Sequence, residues 1–268
     1  MAEYFTTEDI YYKEILLLSK GQKITDTVLT KLKSLGTYQP EELVDFDNRQ
    51  RAVLAPISEK FKAKMNIHDD CILERPNKIL HTIIFESKTK PWWIYVNALA
   101  NYVDWLYTHS IDVALISLMI AENLGCSDEE LLEIGLGAFL HDVGELLVPK
   151  PILQKPGPLN NVEMDSIRQH CELGKSSLQP YGVSKEGLDI ILQHHERLDG
   201  SGYPEGLKDD EICRGAKIVM IADAVDAITS GRPYKQPTQE MKDAITILRN
   251  DEGKYHPEYL TWLENILQ

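Results

Sequence analysis

One run of the sequence, His194 to Pro204, constrains the fold of this chain more than any other feature. It begins with two adjacent histidines and a glutamate, and it ends in a glycine-rich turn closed by proline. Adjacent imidazoles are poor partners for a hydrophobic core but suit a metal ion, because each offers a neutral nitrogen ligand at the same end of one element. A second pair of the same character, His141 and Asp142, stands upstream. The two pairs predict a fold that assembles a metal cluster from distant parts of the sequence.

The composition is that of a globular protein and argues against several other classes. The chain has 268 residues, of which 43% are hydrophobic, and this can fill a core. No apolar run reaches the length of a membrane span, and the polar start of the chain does not resemble a signal peptide. A formal net charge of −14 argues against wrapping duplex nucleic acid. Four scattered cysteines without a CxxC pair indicate a reducing cytoplasm rather than a disulfide framework.

The larger, second part of the chain carries the apolar spacing and the end signals of helices. The predicted helices cover residues 92–105, 109–124, 128–140, 160–178, 188–195, 216–230, 240–249 and 257–267. Ser127 is a predicted cap, and Asn160 with Glu163 resembles a capping box. Convincing strand patterns are absent from this part. We therefore predict a mainly α protein in which residues 89–268 form a helical bundle.

The first part of the chain, residues 1–88, contains no catalytic constellation. A short helix is predicted over residues 25–35, and apolar residues repeat at helical spacing from 52 to 65. A polar joint at 86–91 separates this part from the helical pattern that follows. We predict a small N-terminal accessory domain with a regulatory or dimerising role.

Most of the histidines fall beside other plausible metal ligands. They are His109, His141, His170, His194 and His195. Asp142 follows His141 directly, and Asp223 is a carboxylate within an apolar helix, where it is costly unless paired or bound to metal. Imidazoles and carboxylates without thiolates suit iron, manganese or zinc in a two-metal site with a bridging carboxylate. A lone helical histidine is more often structural, and Asp223 alone could be an ion-pair partner, so the argument rests on the whole set.

These motifs resemble the HD-GYP family, a branch of the HD phosphohydrolases whose members are mainly phosphodiesterases of bis-(3′-5′)-cyclic dimeric GMP. The similarity covers roughly residues 95 to 268. The matching stretches, in the family order, are His109–Ser110 with Val113–Ala114, Phe139 to Gly144, Leu153 to Leu159, His170 to Gly174, His194 to Pro204, Ile221 to Asp223 and Thr229 to Tyr234.

The resemblance implies a set of ligands and substrate contacts. One divalent transition-metal ion, iron or manganese, would be held by His109, His141, Asp142 and Asp223, and a second by His170, His194 and His195. Asp142 would bridge the two ions, and Asp142 and Asp223 would be the catalytic carboxylates. Tyr203 would contact substrate from a loop beside the site. Arg232 would face a substrate phosphate with its forked donors, although a surface ion pair is the alternative for this residue.

Three positions depart from the family pattern. The family usually has a phosphate-binding lysine three residues after the aspartate of its His-Asp pair, where this chain has Glu145. At about 7 Å and an effective dielectric of about 20, one unit charge is worth roughly 2 kcal/mol, so the reversed sign weakens phosphate binding unless Glu145 joins the metal shell or is neutral. Trp105 replaces a glutamate with which some members bind a third ion, which favours two ions. Val225 replaces a common tyrosine.

The favoured function is metal-dependent hydrolysis of a cyclic dinucleotide, first of all cyclic di-GMP, to the linear dinucleotide, and a second cut to GMP stays open. The alternative is a signalling module that binds a cyclic dinucleotide or a protein partner and turns over little substrate, and the three departures motivate it. We expect neither duplex nucleic acid nor a membrane as a partner. A homodimer, the metal identity and the base preference stay open.

Overall fold

The computed structural model describes residues 4–5, 10–12, 15–18, 21, 23–24, 44–45, 60–67, 69, 71–103, 105–230 and 239–266. The chain divides into two compact units, Met1–Phe61 and Lys62–Gln268. The helix predicted over 25–35 lies outside the described residues, and so does Arg232. Residues 60–65 are helical.

The first unit contains short antiparallel strands. They are β1 (Tyr4–Phe5), β2 (Ile10–Tyr12), β3 (Ile15–Leu18), β4 (Lys23–Ile24) and β5 (Val44–Asp45). Strand β1 lies between β4 and β5, with Tyr4 opposite Ile24 and Asp45, while β2 pairs with β3. The apolar stretch at residues 16–18 therefore belongs to a strand of a two-stranded ribbon.

The second unit is helical. Its helices are α1 (Cys71–Ser87), α2 (Trp93–Tyr102), α3 (Leu106–Asn123), α4 (Asp128–Leu140), α5 (Lys150–Leu153), α6 (Asn161–Arg168), α7 (His170–Leu178), α8 (Lys185–Gln193), α9 (Arg214–Thr229), α10 (Met241–Asn250) and α11 (Pro257–Ile266). Short 3₁₀ helices cover Val143–Leu147, Gln179–Tyr181 and Asp209–Glu211. Among the described residues of this unit, the only β feature is an isolated bridge between Asp199 and Lys208. The predicted mainly α bundle is confirmed.

Helix α3 is the centre of the second unit. Its residues from His109 to Ala121 are all buried, so it is enclosed on every side, as expected for a helix that is apolar all round. It packs against α1, α4 and α9, and α4 packs in turn against α8. His109 lies in the first turns of α3, and His141 and His194 follow the last residues of α4 and α8, so this packing places predicted ligands near one another.

The capping predictions are confirmed. Ser127 Oγ accepts a hydrogen bond from the backbone N–H of Glu130 at 3.3 Å, and Asn160 Oδ1 accepts one from that of Glu163 at 2.9 Å. In both cases the glutamate carboxylate accepts a hydrogen bond from the backbone N–H of the cap residue, which completes a capping box. These local signals fix where α4 and α6 begin.

Several helix ends differ from the predicted ranges by up to three residues; the helix predicted over 188–195, for example, is Lys185–Gln193. Two further differences affect the organisation of the chain. The helix predicted over 160–178 is interrupted at Gln169, between α6 and α7. At this point Nδ1–H of His170 donates to the carbonyl oxygen of Ile167 at 2.7 Å. The chain divides after Phe61 rather than after residue 88. The reason is that α1 packs against α3 and α4 and buries Leu80 and Ile84, so it belongs to the helical unit.

Candidate metal centre

Five helices bring the predicted ligands together. His109 lies on α3, His141 caps the C-terminal end of α4, His170 begins α7, His194 caps α8, and Asp223 lies within α9. Two groups of donor atoms result, each within 4.8 Å. One group contains His109, His141 and Asp223, and the other contains Asp142, His170, His194 and His195. All seven predicted ligands therefore meet in one place.

Asp142 lies between the two groups and turns one carboxylate oxygen toward each. Its Oδ2 is 3.3 Å from Nε2 of His109 and 3.3 Å from Nε2 of His141. Its Oδ1 is 3.4 Å from Nε2 of His170 and 3.8 Å from Nε2 of His194. This is the placement that a bridging carboxylate needs.

Asp223 also faces both groups. Its Oδ1 is 3.3 Å from Nε2 of His109, and its Oδ2 is 3.7 Å from Nδ1 of His195. Because Asp223 comes from the otherwise apolar helix α9, its carboxylate is 7% exposed and depends on these contacts. Asp223, the carboxylate within an apolar helix in the sequence, is thus part of the cluster.

Hydrogen bonds to Nδ1 set the orientation of four imidazoles. In three of them Nδ1–H donates to the carbonyl oxygen three residues earlier: His141 to Ala138 at 2.6 Å, His170 to Ile167 at 2.7 Å, and His194 to Ile191 at 2.8 Å. In the fourth, His109 donates to Asp226 Oδ2 at 2.6 Å. A proton on Nδ1 leaves the lone pair on Nε2, which is how neutral histidines ligate metals.

The Nε2 atoms then face one another. The Nε2 atoms of His141 and His109 are 3.3 Å apart, and those of His170 and His194 are 3.1 Å apart. Two lone pairs at these distances repel unless a cation lies beside them. Imidazole nitrogens with carboxylate oxygens are borderline donors that suit divalent transition metals. The donor set and its orientation therefore fit a divalent metal centre.

Burial and nearby charges shift the pKa values of the candidate ligands in opposite directions. Burial lowers the pKa of His170 and His194, and lowers that of His195 to about 3, which keeps these rings in the neutral, ligating form. Burial alone would raise the pKa of Asp142, but the contacts with His141 and His109 hold it well below its ordinary value. Asp223 behaves likewise through its hydrogen bond with His109. The carboxylates are therefore ionised.

His109 lies at the most negative point of the cluster. Burial alone would lower its pKa, but hydrogen bonds with Asp142, Asp223 and Asp226 raise it well above the ordinary value. Three carboxylates around one imidazole make a region in which positive charge is strongly favoured. A bound cation meets this requirement.

The loop after the histidine pair is held by Glu196, whose role the sequence interpretation missed. This glutamate is fully buried, and its carboxylate accepts backbone N–H groups from Glu205 at 2.7 Å, Gly206 at 3.1 Å and Leu207 at 3.0 Å. The signal in the sequence was a charged residue between an apolar helix and a glycine-rich turn, since such turns offer free N–H donors. Glu196 closes the loop and does not join the ligand groups.

The same loop places Tyr203 against the site. Its ring stacks on His195 with centroids 4.7 Å apart and planes 27° apart, and its backbone N–H donates to the carbonyl oxygen of His195 at 3.2 Å. A side chain at Gly202 would lie 2.3 Å from Cα of Glu196, so only glycine allows the loop to turn back so closely. The glycine and tyrosine of the long run thus act together on the orientation of His195.

Gly144 allows a second close approach. A Cβ atom at this position would lie 1.9 Å from the carbonyl oxygen of His170. The 3₁₀ helix that follows Asp142 therefore packs with its backbone directly against the start of α7. This contact brings the bridging carboxylate and His170 into the same site.

A cavity of about 210 Å³ opens beside the ligands, and its wall includes Asp142, Asp223, His195, Tyr203, Glu145 and Lys155. Glu145, the residue that replaces the family lysine, is 7% exposed and lines the cavity. Lys155 was missed as a candidate, although it lies in the matched stretch Leu153 to Leu159. Its Nζ donates to both carboxylate oxygens of Glu163, at 2.8 and 2.6 Å.

The other two departures from the family pattern are apolar or aromatic packing positions. The Trp105 ring meets His109 edge-on, with centroids 6.0 Å apart. Val225 is fully buried in α9. Neither residue belongs to a ligand group.

Comparison with known proteins extends these observations. A family model of the HD domain matches residues 94–259. A cyclic di-GMP phosphodiesterase of Thermotoga maritima is 40% identical over 167 residues, which are 61% of this chain and 45% of that protein. The 3′3′-cGAMP-specific phosphodiesterase 1 of Vibrio cholerae is 35% identical over 157 residues, which are 57% of this chain and 36% of that protein. The chain thus spans less than half the length of either relative.

The fold also occurs among solved structures. Bd1817, a HDG"Y"P protein from Bdellovibrio bacteriovorus, matches with a TM-score of 0.55 at 20% identity, over 99% of this chain and 94% of that one. At this identity the likeness concerns the fold alone. Within the described residues, none of the helices combines the length and the apolar character needed to span a membrane.

Proposed function

The chain belongs to the HD-domain family, in its HD-GYP branch, and from that premise we propose that it is a metal-dependent phosphodiesterase of cyclic dinucleotides. The observation that carries the proposal is the placement of Asp142, whose two oxygens face two separate groups of imidazole nitrogens. This arrangement supports two ions. Iron or manganese is the proposed metal, because the donors are imidazoles and carboxylates without thiolates.

Bound divalent ions would supply a nucleophile from water at neutral pH and would polarise the phosphoryl oxygens. The chain itself contributes orientation. Asp142 and Asp223 hold negative charge between the groups, and the Nδ1 hydrogen bonds fix each imidazole before substrate arrives. The cavity beside them receives the scissile phosphate. In phosphoryl transfer, such positioning and electrostatic stabilisation account for most of the catalysis.

Cyclic di-GMP is the proposed substrate, with the linear dinucleotide as first product and GMP after a second cut. Relatives named for cyclic di-GMP and for 3′3′-cGAMP both support the class, and the former supports the choice of base. Lys155 in the cavity wall supplies a cation that can meet a phosphate. Arg232 and Tyr203 remain proposed substrate contacts.

The rival function is a binding module with little or no turnover. One observation favours it: Glu145 lines the cavity where the family places a lysine, and a carboxylate there repels phosphate. In that case the protein would act through a bound cyclic dinucleotide or a partner protein. A homodimer and a regulatory role for residues 1–88 remain predictions. A cytoplasmic location remains a prediction, based on scattered cysteines without a CxxC pair in the sequence.

The test compares metal content with turnover. Anaerobically purified protein should contain about two transition-metal ions per chain, as two-metal hydrolases do. Incubation with cyclic di-GMP and, separately, 3′3′-cGAMP should give the linear product by chromatography. Asp142→Ala should lose both metal and hydrolysis, whereas Asp243→Ala, which removes an exposed carboxylate on α10, should lose neither.

Each other outcome has a clear meaning. Metal-loaded protein that binds cyclic di-GMP and leaves it intact would establish the binding module. Protein that cannot be loaded with iron or manganese would refute the metal centre. Hydrolysis by Asp142→Ala at the parent rate would remove Asp142 from the mechanism.

A further inference from the structure

A buried ammonium group contacts the metal centre through one intervening carboxylate. Lys64, in the helical segment 60–65, donates from Nζ to Asp112 Oδ2 at 2.9 Å, to Ser230 Oγ at 2.7 Å and to Asp226 Oδ1. Its side chain is only 17% exposed, and that of Asp226 is fully buried. Burial alone would lower the pKa of Lys64, but Asp226 and Asp112 raise it, so the group is charged.

Asp226 connects this ammonium group to a ligand. One carboxylate oxygen accepts from Lys64, and the other accepts from Nδ1 of His109 at 2.6 Å. The opposite nitrogen of the same ring, Nε2, is 3.3 Å from both Asp142 and Asp223. Direct contacts therefore run from ammonium to carboxylate to imidazole and on to the ligand groups.

We propose that Lys64 is a positioning residue of the metal centre, which holds the Asp226 carboxylate so that it keeps His109 in the orientation and tautomer that present Nε2 to the metal. The inference rests on the proposed metal centre. His109 differs from His141, His170 and His194, whose Nδ1–H groups donate to backbone carbonyl oxygens three residues earlier in the chain. A carboxylate on a side chain can rotate or take up a proton, so it needs a partner that fixes it.

The location of Lys64 gives the proposal a further consequence. The family model begins at residue 94, so Lys64 lies in the preceding segment, just after the boundary between the two units. One residue of the proposed metal centre, Lys64, therefore lies outside residues 94–259, which the family model matches. Partners that orient ligands typically contribute ten- to hundredfold to metal affinity.

A purely structural role is the alternative. Asp112 and Asp226 are both buried, and Lys64 could simply neutralise them. Loss of a cation from such a group destabilises a fold whether or not a metal is near. The two roles differ in what they do to the His109 ring and to metal affinity, which are measured separately.

The experiment uses the full chain, freed of metal and titrated with Mn²⁺. Lys64→Met should raise the dissociation constant for Mn²⁺ by about 10- to 100-fold. The matched control is Lys217→Met, which removes another poorly exposed lysine bonded to an aspartate, Asp209, at 2.7 Å. Its affinity should stay within about threefold of the parent, because Asp209, the partner of Lys217, is not among the carboxylates that contact His109 in the described part of the chain.

The second readout is the Nδ1 proton of His109, observed by NMR in the zinc-loaded protein and identified by its absence in His109→Ala. In the parent it should resonate far downfield and exchange slowly, because it is shared with a charged carboxylate. In Lys64→Met it should move upfield and exchange faster. Lys64→Gln keeps a donor without the charge, and serves if Lys64→Met does not fold.

The outcomes separate the roles. Weaker Mn²⁺ binding, together with a changed chemical shift and exchange rate of the His109 Nδ1 proton, supports positioning. An unchanged dissociation constant overturns it in favour of simple neutralisation. So does a raised dissociation constant with no change in the chemical shift and exchange rate of the His109 Nδ1 proton. A parent that binds no metal also overturns it. A parent that binds Mn²⁺ and hydrolyses no cyclic dinucleotide refutes only the phosphodiesterase, because the affinity comparison uses no substrate.

Discussion

At the scale of single residues, the charged side chains that line the cavity bear on the proposed binding of a phosphodiester. Asp142 and Asp223 already carry the negative charge that the ligand groups require, and Glu145 adds a further carboxylate in the cavity wall. Lys155 is a cation in the same wall, although it is paired with Glu163. A phosphodiester substrate is an anion, so these side chains affect its binding in opposite directions.

We predict that Glu145→Lys increases kcat/KM for cyclic di-GMP by roughly ten- to hundredfold, at about 1.4 kcal/mol per tenfold, because repulsion of a phosphate becomes attraction. Lys155→Ala should decrease it. Steady-state kinetics at fixed metal content measures both. Glu172→Lys makes the same charge change at an exposed position on α7 and should have little effect. Reduced activity in Glu145→Lys would instead assign Glu145 to the metal shell, and no change would place it away from substrate.

At the scale of elements, helix ends and one loop build the site. The break at Gln169 starts α7 with His170 pointing into the cluster, and Gly144 lets the preceding 3₁₀ helix approach it. The loop after His195 returns over that ring and is closed by Glu196, which accepts three backbone N–H groups. A buried carboxylate with several N–H donors is a strong local anchor.

We predict that Glu196→Gln lowers the free energy of unfolding by about 1.5–3 kcal/mol, since hydrogen bonds to a charged acceptor are replaced by weaker ones. Amide exchange at residues 205–207 should become faster, and stacking of Tyr203 on His195 should loosen. Denaturant unfolding and hydrogen exchange measure these effects. Glu205→Gln changes an exposed carboxylate in the same loop and is the control. Unaltered exchange at 205–207 would show that other contacts close the loop.

At the scale of the whole helical unit, the ligands come from α3, α4, α7, α8 and α9, so one site connects helices that are distant in sequence. Seven ionisable groups gathered in a mostly buried place are costly without a cation. Metal binding should therefore stabilise the folded unit, as for any ligand that binds only the native state.

We predict that removal of metal with a chelator lowers the thermal unfolding transition, and that added Mn²⁺ restores it. At a free metal concentration about 100 times the dissociation constant, the stabilisation is about 2.7 kcal/mol. Calorimetry measures it on the full chain. Asp142→Ala should unfold at a temperature that does not respond to Mn²⁺. A parent transition that is the same with and without metal would contradict the coupling.

The sequence by itself determined the helical character, the starts of α4 and α6, and the set of candidate ligands. Ser127 and Asn160 cap helices through bonds that span three residues, so local spacing is enough to locate them. The histidines and aspartates stood out because their side chains are costly among apolar neighbours, which is a property of composition. The resemblance of the motifs supplied their grouping.

Only the tertiary structure decided which groups orient these ligands. Lys64 contacts Asp226 across 162 residues of sequence, and nothing in the spacing around either residue indicates the other. In the sequence Glu196 is one polar residue among several in the run from His194 to Pro204, and only the folded loop brings three backbone N–H groups to its carboxylate. The end of the first unit at Phe61 was likewise decided by tertiary structure, because α1 packs against the helices of the second unit. Local sequence patterns report interactions over a few residues. The partners of buried charges are instead set by helix packing, because a buried charge is stable only where the fold places an opposite charge beside it.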